Sequence, residues 1–82
     1  MTRSLARALA PKIRVNAVCP GPIDSRWLRQ DMSEEEISDR VSTFPIPRLS
    51  SPGDIADTVT YLAVGTAMTT GQILVVDGGR TI

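Results

Sequence analysis

The chemistry this chain could do is narrowed first by what its side chains are. Among 82 residues there is no histidine, one cysteine and one lysine. Cys19 therefore has no partner for a disulfide or a Cys/His metal site within one chain. With no histidine to take its proton, it reads as a small buried hydrophobe rather than a nucleophile. The acids Glu34-Glu35-Glu36 follow Ser33 in the order of a capping box, in which the serine oxygen accepts from the backbone of Glu36 and the Glu36 carboxylate reaches back. Their default role is structural, with a catalytic or metal cluster as the alternative. The stretch that could hold a ligand is Pro20-Gly21-Pro22-Ile23-Asp24-Ser25, because it ends an apolar run and brings a hydroxyl to its far side. In open α/β sheets ligands sit just beyond the carboxyl ends of strands, so this is a candidate ligand edge, with a plain turn as the bland alternative.

Those residues need elements to hold them. Ile13 to Cys19 is mostly β-branched or small and apolar, as in a short parallel strand buried on both faces, and Pro20-Gly21 stops it. A second such strand is Gln72 to Asp77, released by Gly71 and ended by Gly78-Gly79. Between them the pattern predicts a short helix or loop over 26–32, with Trp27 as a packing anchor or a pocket wall, and a helix over 34–42 presenting Ile37 and Val41. An extended connector through Pro45 and Pro47 follows. The next helix has Ser51 as N-cap, Pro52 at its first position and Ile55, Val59 and Leu62 on one face, with Gly65 as a left-handed stop. A helix over 2–10 precedes all of this, with Leu5 and Leu9 on one side and Pro11 ending it. It has no clear cap, which reads as the interior of a longer helix. The order is helix, strand, two helices, strand, and the crossover is long enough to make the strands parallel neighbours.

Nine basic and nine acidic residues cancel, although residues 1–30 are mildly basic and residues 31–82 mildly acidic. Without aromatic interleaving that asymmetry gives no case for nucleic acid. No apolar run approaches the ~20 residues that span a bilayer, and no signal peptide is evident, so no membrane partner and a cytoplasmic location are expected. A core of this length rarely yields more than about 3–5 kcal/mol unaided, so the length allows one small domain or part of a larger one.

The runs Ile13-Arg14-Val15-Asn16-Ala17-Val18-Cys19-Pro20-Gly21, Pro52-Gly53-Asp54-Ile55-Ala56 and Thr70-Gly71-Gln72-Ile73-Leu74-Val75-Val76-Asp77-Gly78-Gly79 resemble, in order and spacing, the C-terminal third of the short-chain dehydrogenase/reductase family. The resemblance covers nearly the whole chain. It implies an α/β fold, the C-terminal part of a doubly wound Rossmann-type parallel sheet, and residues 1–82 as a fragment of one such domain. It implies hydride transfer between NAD or NADP and an alcohol or ketone. Pro20 and Gly21 would lie by the nicotinamide, the Ile23 backbone would meet its carboxamide, and Ser25 matches a threonine that bonds the pyrophosphate. Residues from Pro22 to about Phe44, including Trp27 and Leu28, would be the substrate loop and its helix. The Ser51–Leu62 helix and the Gln72–Asp77 strand would be a subunit-pairing surface of a homo-oligomer.

The departures from the family are informative. Its Gly-rich phosphate turn and its Tyr-x-x-x-Lys pair have no counterpart here: Tyr61 is followed four places on by Gly65, and Lys12 is the only lysine. No catalytic residue and no metal site are therefore assigned, and the chain alone should be inactive. The alternative is a free-standing, non-catalytic α/β module that associates with a full-length relative.

Overall fold

Two parallel strands and the helices that connect them make up the chain, in a computed structural model that describes residues 1–82. In order they are α1 (Thr2–Leu9), β1 (Ala17–Pro20), α2 (Arg26–Asp31), α3 (Glu34–Val41), α4 (Pro52–Thr60) with a π-helical continuation (Tyr61–Gly65), and β2 (Ile73–Val76). The strands pair in parallel, Ala17 with Ile73 through Pro20 with Val76. This is the crossover that the sequence predicts.

Local chemistry explains most boundaries. α1 ends where Ala10 turns extended ahead of Pro11, since a residue before proline avoids helical geometry. Ser33 and Glu36 form the capping box at α3. Ser51 and Asp54 form a second one at α4, with Pro52 behind Ser51. Each satisfies backbone donors that a helix start leaves unpaired.

The strands are shorter than their apolar runs. β1 begins only at Ala17 because the Asn16 side chain takes over the pairing there: its amide donates to the Thr69 carbonyl at 3.0 Å and its oxygen accepts from Gln72 N–H at 3.0 Å. The Val15 N–H goes likewise to the Thr70 hydroxyl at 3.1 Å. Gly65 departs from expectation as well. The left-handed glycines are Gly71, Gly78 and Gly79, at φ 73°, 65° and 83°, and Gly65 is not among them. What Gly65 provides is space, because a Cβ there would lie 2.8 Å from the Tyr61 ring.

Only Ala6, Ile37, Val41, Phe44 and Leu62 are buried. The largest cluster, Ile37, Val41 and Phe44 with Leu28, Met32 and Leu49 packed on it, belongs to the α2–α3 segment and not to the sheet. The expectation that both strands are buried on both faces does not hold within these residues. Cys19 is exposed, and Ile73 and Val75 are 48% and 54% exposed, because the packing of α4 on the strands leaves much of them uncovered. The radius of gyration is 15.5 Å, against about 12 Å for a compact domain of this length. No helix is long and apolar enough to cross a membrane.

Candidate functional site

The site is built where β1 and β2 end together. Pro20 is the last residue of β1, opposite Val76, and the Gly21 N–H then donates to the Val76 carbonyl at 2.9 Å. Gly21 has no room for a side chain. A Cβ there would lie 2.7 Å from Asp77 Cβ and 3.0 Å from Asp77 Cα. Asp77 in turn is fixed by the turn after β2, accepting from Gly79 N–H at 2.9 Å and from the Thr81 N–H and hydroxyl at 3.2 and 2.9 Å. Partial desolvation acts to raise the Asp77 carboxyl, but the bonds from Thr81 and Gly79 and the Arg80 charge outweigh it and hold it below the usual carboxylate value.

Beyond Gly21 the chain is held by one residue on the far side. Ile23 and Ser50 form an isolated parallel bridge. Ser50 N–H donates to the Pro22 carbonyl at 3.1 Å, and Asp24 N–H donates to the Ser50 carbonyl at 2.8 Å. These bonds use the backbone of Pro22 and Asp24. The N–H and carbonyl of Ile23 make no hydrogen bond and face the other way, as alternation along an extended chain requires. Ser25 then caps α2, its oxygen accepting from Leu28 N–H at 3.2 Å. An accepting hydroxyl keeps its proton free to donate.

The carboxylate between them is paired. Both Asp24 oxygens are taken by Arg29, at 2.6 Å to Nε and 3.1 Å to Nη2, and Arg29 Nη1 also bonds Glu34 at the start of α3. The hydrogen bonds from Arg29 hold the Asp24 carboxyl below its usual range, and the same bonds raise the guanidinium. A cleft of about 240 Å³ adjoins the end of β2, lined by Ile46, Arg48, Ser50, Asp54, Val76 and Gly78. Arg48 meets Asp54 across it at 2.8 Å.

Of the residues singled out in the sequence, the structure gathers Pro20, Gly21, Pro22, Ile23 and Ser25 along one edge beyond the strand ends. Leu28 bonds Ser25 through its backbone N–H, while its side chain packs against the Ile37–Val41–Phe44 cluster. Trp27 is 80% exposed, so within this chain it is not a packing anchor.

Two residues not singled out from the sequence secure the start of β1, at the other end of the strand. Arg14 donates from Nη1 to the carbonyls of Leu62 and Thr69 at 2.7 and 3.2 Å, and from Nη2 to Ala63 at 3.0 Å. It thereby ties the approach to β1 to the end of the α4 continuation, where carbonyls lack intrahelical partners. Nothing in the sequence relates positions 14 and 62. Asn16 did leave a signal, a polar amide in an otherwise apolar run.

Comparisons with known proteins bear on the family and the fold. Residues 1–81 match the family described as enoyl-(acyl carrier protein) reductase. The chain is 40% identical over 84 residues to an uncharacterised oxidoreductase of Mycobacterium tuberculosis, covering all of this chain and 34% of that protein. It is 35% identical over 82 residues to the short-chain dehydrogenase/reductase homolog YusR of Bacillus subtilis, covering all of this chain and 61% of that one. Among solved structures, a short-chain dehydrogenase/reductase from Brucella melitensis superposes with a TM-score of 0.88 at 34% identity, over 100% of this chain and 34% of that one. A blue fluorescent protein from a metagenomic library, in complex with NADPH, superposes with a TM-score of 0.85 at 37% identity, over 100% and 33%. The 82 residues thus span about a third of the length of most of these relatives. Matched along its length in sequence and in fold, the chain belongs to the short-chain dehydrogenase/reductase family and carries part of that family's Rossmann-type sheet.

Proposed function

We propose that these residues are the C-terminal third of an NAD(P)-dependent oxidoreductase that moves hydride between a nicotinamide cofactor and an alcohol or ketone, and that their part in it is to hold the cofactor. The observation that carries this is the pair of free backbone groups on Ile23, one donor and one acceptor, set beside the free proton of Ser25. A carboxamide offers the complementary pair, a carbonyl and an NH₂, and phosphate oxygens accept from a hydroxyl. The residues present therefore fit the nicotinamide and pyrophosphate end of a dinucleotide.

The cofactor, when bound, supplies or accepts the hydride. Ile23 would orient its carboxamide, and Gly21, pressed on Asp77, would fix the floor beneath it. Ser25 would anchor the pyrophosphate while its oxygen keeps α2 capped. No group here can serve as the proton donor or as the cation that tunes one. Tyr61, half-exposed, lies against Gly65, where the family's tyrosine would have a lysine. The purified 82-residue chain should therefore turn over neither NADH nor NADPH.

Ser25→Ala in the full-length protein tests the assignment. A hydrogen bond to a charged group contributes about 1.5–3 kcal/mol, so cofactor affinity should fall about ten- to a hundredfold with the chemical step nearly intact. Ser25→Thr keeps the hydroxyl and should bind like the native protein. Ser25→Asp keeps the cap but brings a charge against the phosphates, so it should lose binding without losing stability. An unchanged affinity of Ser25→Ala for both nucleotides would remove Ser25 from the pyrophosphate.

A further inference from the structure

We propose that Arg29 is a positioning residue for the cofactor, neutralising Asp24 so that an anionic pyrophosphate can approach Ser25. This rests on the cofactor reading above. Asp24 lies between Ile23 and Ser25, one residue from each contact, and adjacent Cα atoms are about 3.8 Å apart. Its carboxylate is therefore the negative charge next along the chain to the place where the pyrophosphate would arrive. Left alone it would repel that group, because like charges within about 10 Å are only partly screened at physiological salt.

The structure gives this carboxylate a cationic partner. Arg29 meets both of its oxygens, Nε to Oδ1 at 2.6 Å and Nη2 to Oδ2 at 3.1 Å, in the fork geometry that arginine forms and lysine cannot. The third guanidinium nitrogen bonds Glu34, so one cation joins the loop before α2 to the first turn of α3. Asp24 is also committed through its backbone, since its N–H holds Ser50 at 2.8 Å. The loop thus uses the backbone of residue 24 for its shape, and Arg29 offsets part of the negative charge that Asp24 and Glu34 bring to it. Arg26, just after Ser25, makes no ion pair and is the other cation at this turn.

Equilibrium binding of NADH and of NADPH to the full-length protein, followed by nicotinamide fluorescence at low and high salt, tests the assignment. Arg29→Gln should weaken binding about tenfold at low salt and less at high salt, since exposed charges are screened. Asp24→Asn alone should have the opposite sign and tighten binding, which keeps the test decisive should Arg29→Gln fold poorly. The double variant should return to within about threefold of native affinity, because the two changes are coupled through one ion pair. A merely structural Arg29 would not be rescued by Asp24→Asn. Native affinity in Arg29→Gln, or a double variant as weak as Arg29→Gln alone, would overturn the proposal while leaving the cofactor reading intact. An unsubstituted protein that binds neither nucleotide would remove both.

Discussion

At the scale of single residues, polar side chains here mainly finish what the backbone leaves unpaired. Ser25, Ser33 and Ser51 each accept from a backbone N–H at a helix start. Asp54 does more than cap. It accepts from the Ser51 N–H at 2.8 Å and from Arg48 at 2.8 Å, and the Arg48 bond first, then the Ser51 backbone, brings its carboxyl down to about 2. The sign of the pH effect follows from that depression. A carboxyl whose folded value lies below its unfolded value stabilises the fold above the unfolded value, and the contribution is lost as pH falls through the folded one. The urea midpoint of the full-length protein should therefore exceed that of Asp54→Asn at pH 7, with the gap closing between about pH 4 and pH 2. A gap that stayed constant down to pH 2 would show that the Asp54 charge is not what stabilises this turn.

At the scale of elements, the approach to β1 is secured from outside the ladder. The Asn16 amide substitutes for strand pairing against Thr69 and Gln72, and Arg14 collects the carbonyls that end the α4 continuation. Because hydrogen bonds to charged groups contribute about 1.5–3 kcal/mol and these are only partly buried, Arg14→Met should destabilise the full-length protein by about 1–3 kcal/mol in chemical denaturation. Amide exchange should also quicken over residues 61–72. A loss under about 0.5 kcal/mol would mean that water replaces the guanidinium without cost. The turn after β2 has its own requirement. At Gly79 the backbone is at φ 83°, and a Cβ would lie 2.9 Å from Pro45, so the Pro45–Pro47 connector can sit against it only because the side chain is missing.

At the scale of the whole molecule, the chain has a sheet edge and sheet faces that its own helices do not cover. Ile13, Ile73 and Val75 are about half-exposed, and a two-stranded sheet is marginal alone. Open edges of apolar strands are templates for another chain. The isolated 82 residues should therefore be stabilised by self-association or remain without fixed packing. Sedimentation and thermal melting at several concentrations check this, and a monomer with a sharp, concentration-independent transition would refute it. Much was legible in the sequence because it is local. The capping box at Ser33, the N-cap at Ser51, the stop before Pro11, the helical spacing of Ile37 and Val41 and the punctuation Gly78-Gly79 act within a few residues, and each appears where the pattern puts it, whereas β1 runs on through Pro20 instead of stopping at Cys19. Burial and partnership are not local. The sequence alone marks Cys19 as interior, Trp27 as anchor or wall and Gly65 as a left-handed stop, but exposure is set by which element lies across a face, and the helices present leave Cys19 and Trp27 uncovered. Likewise Arg14 with Leu62, Gly21 with Asp77 and Ile23 with Ser50 are pairings across tens of residues, which only the folded path of the chain brings into contact.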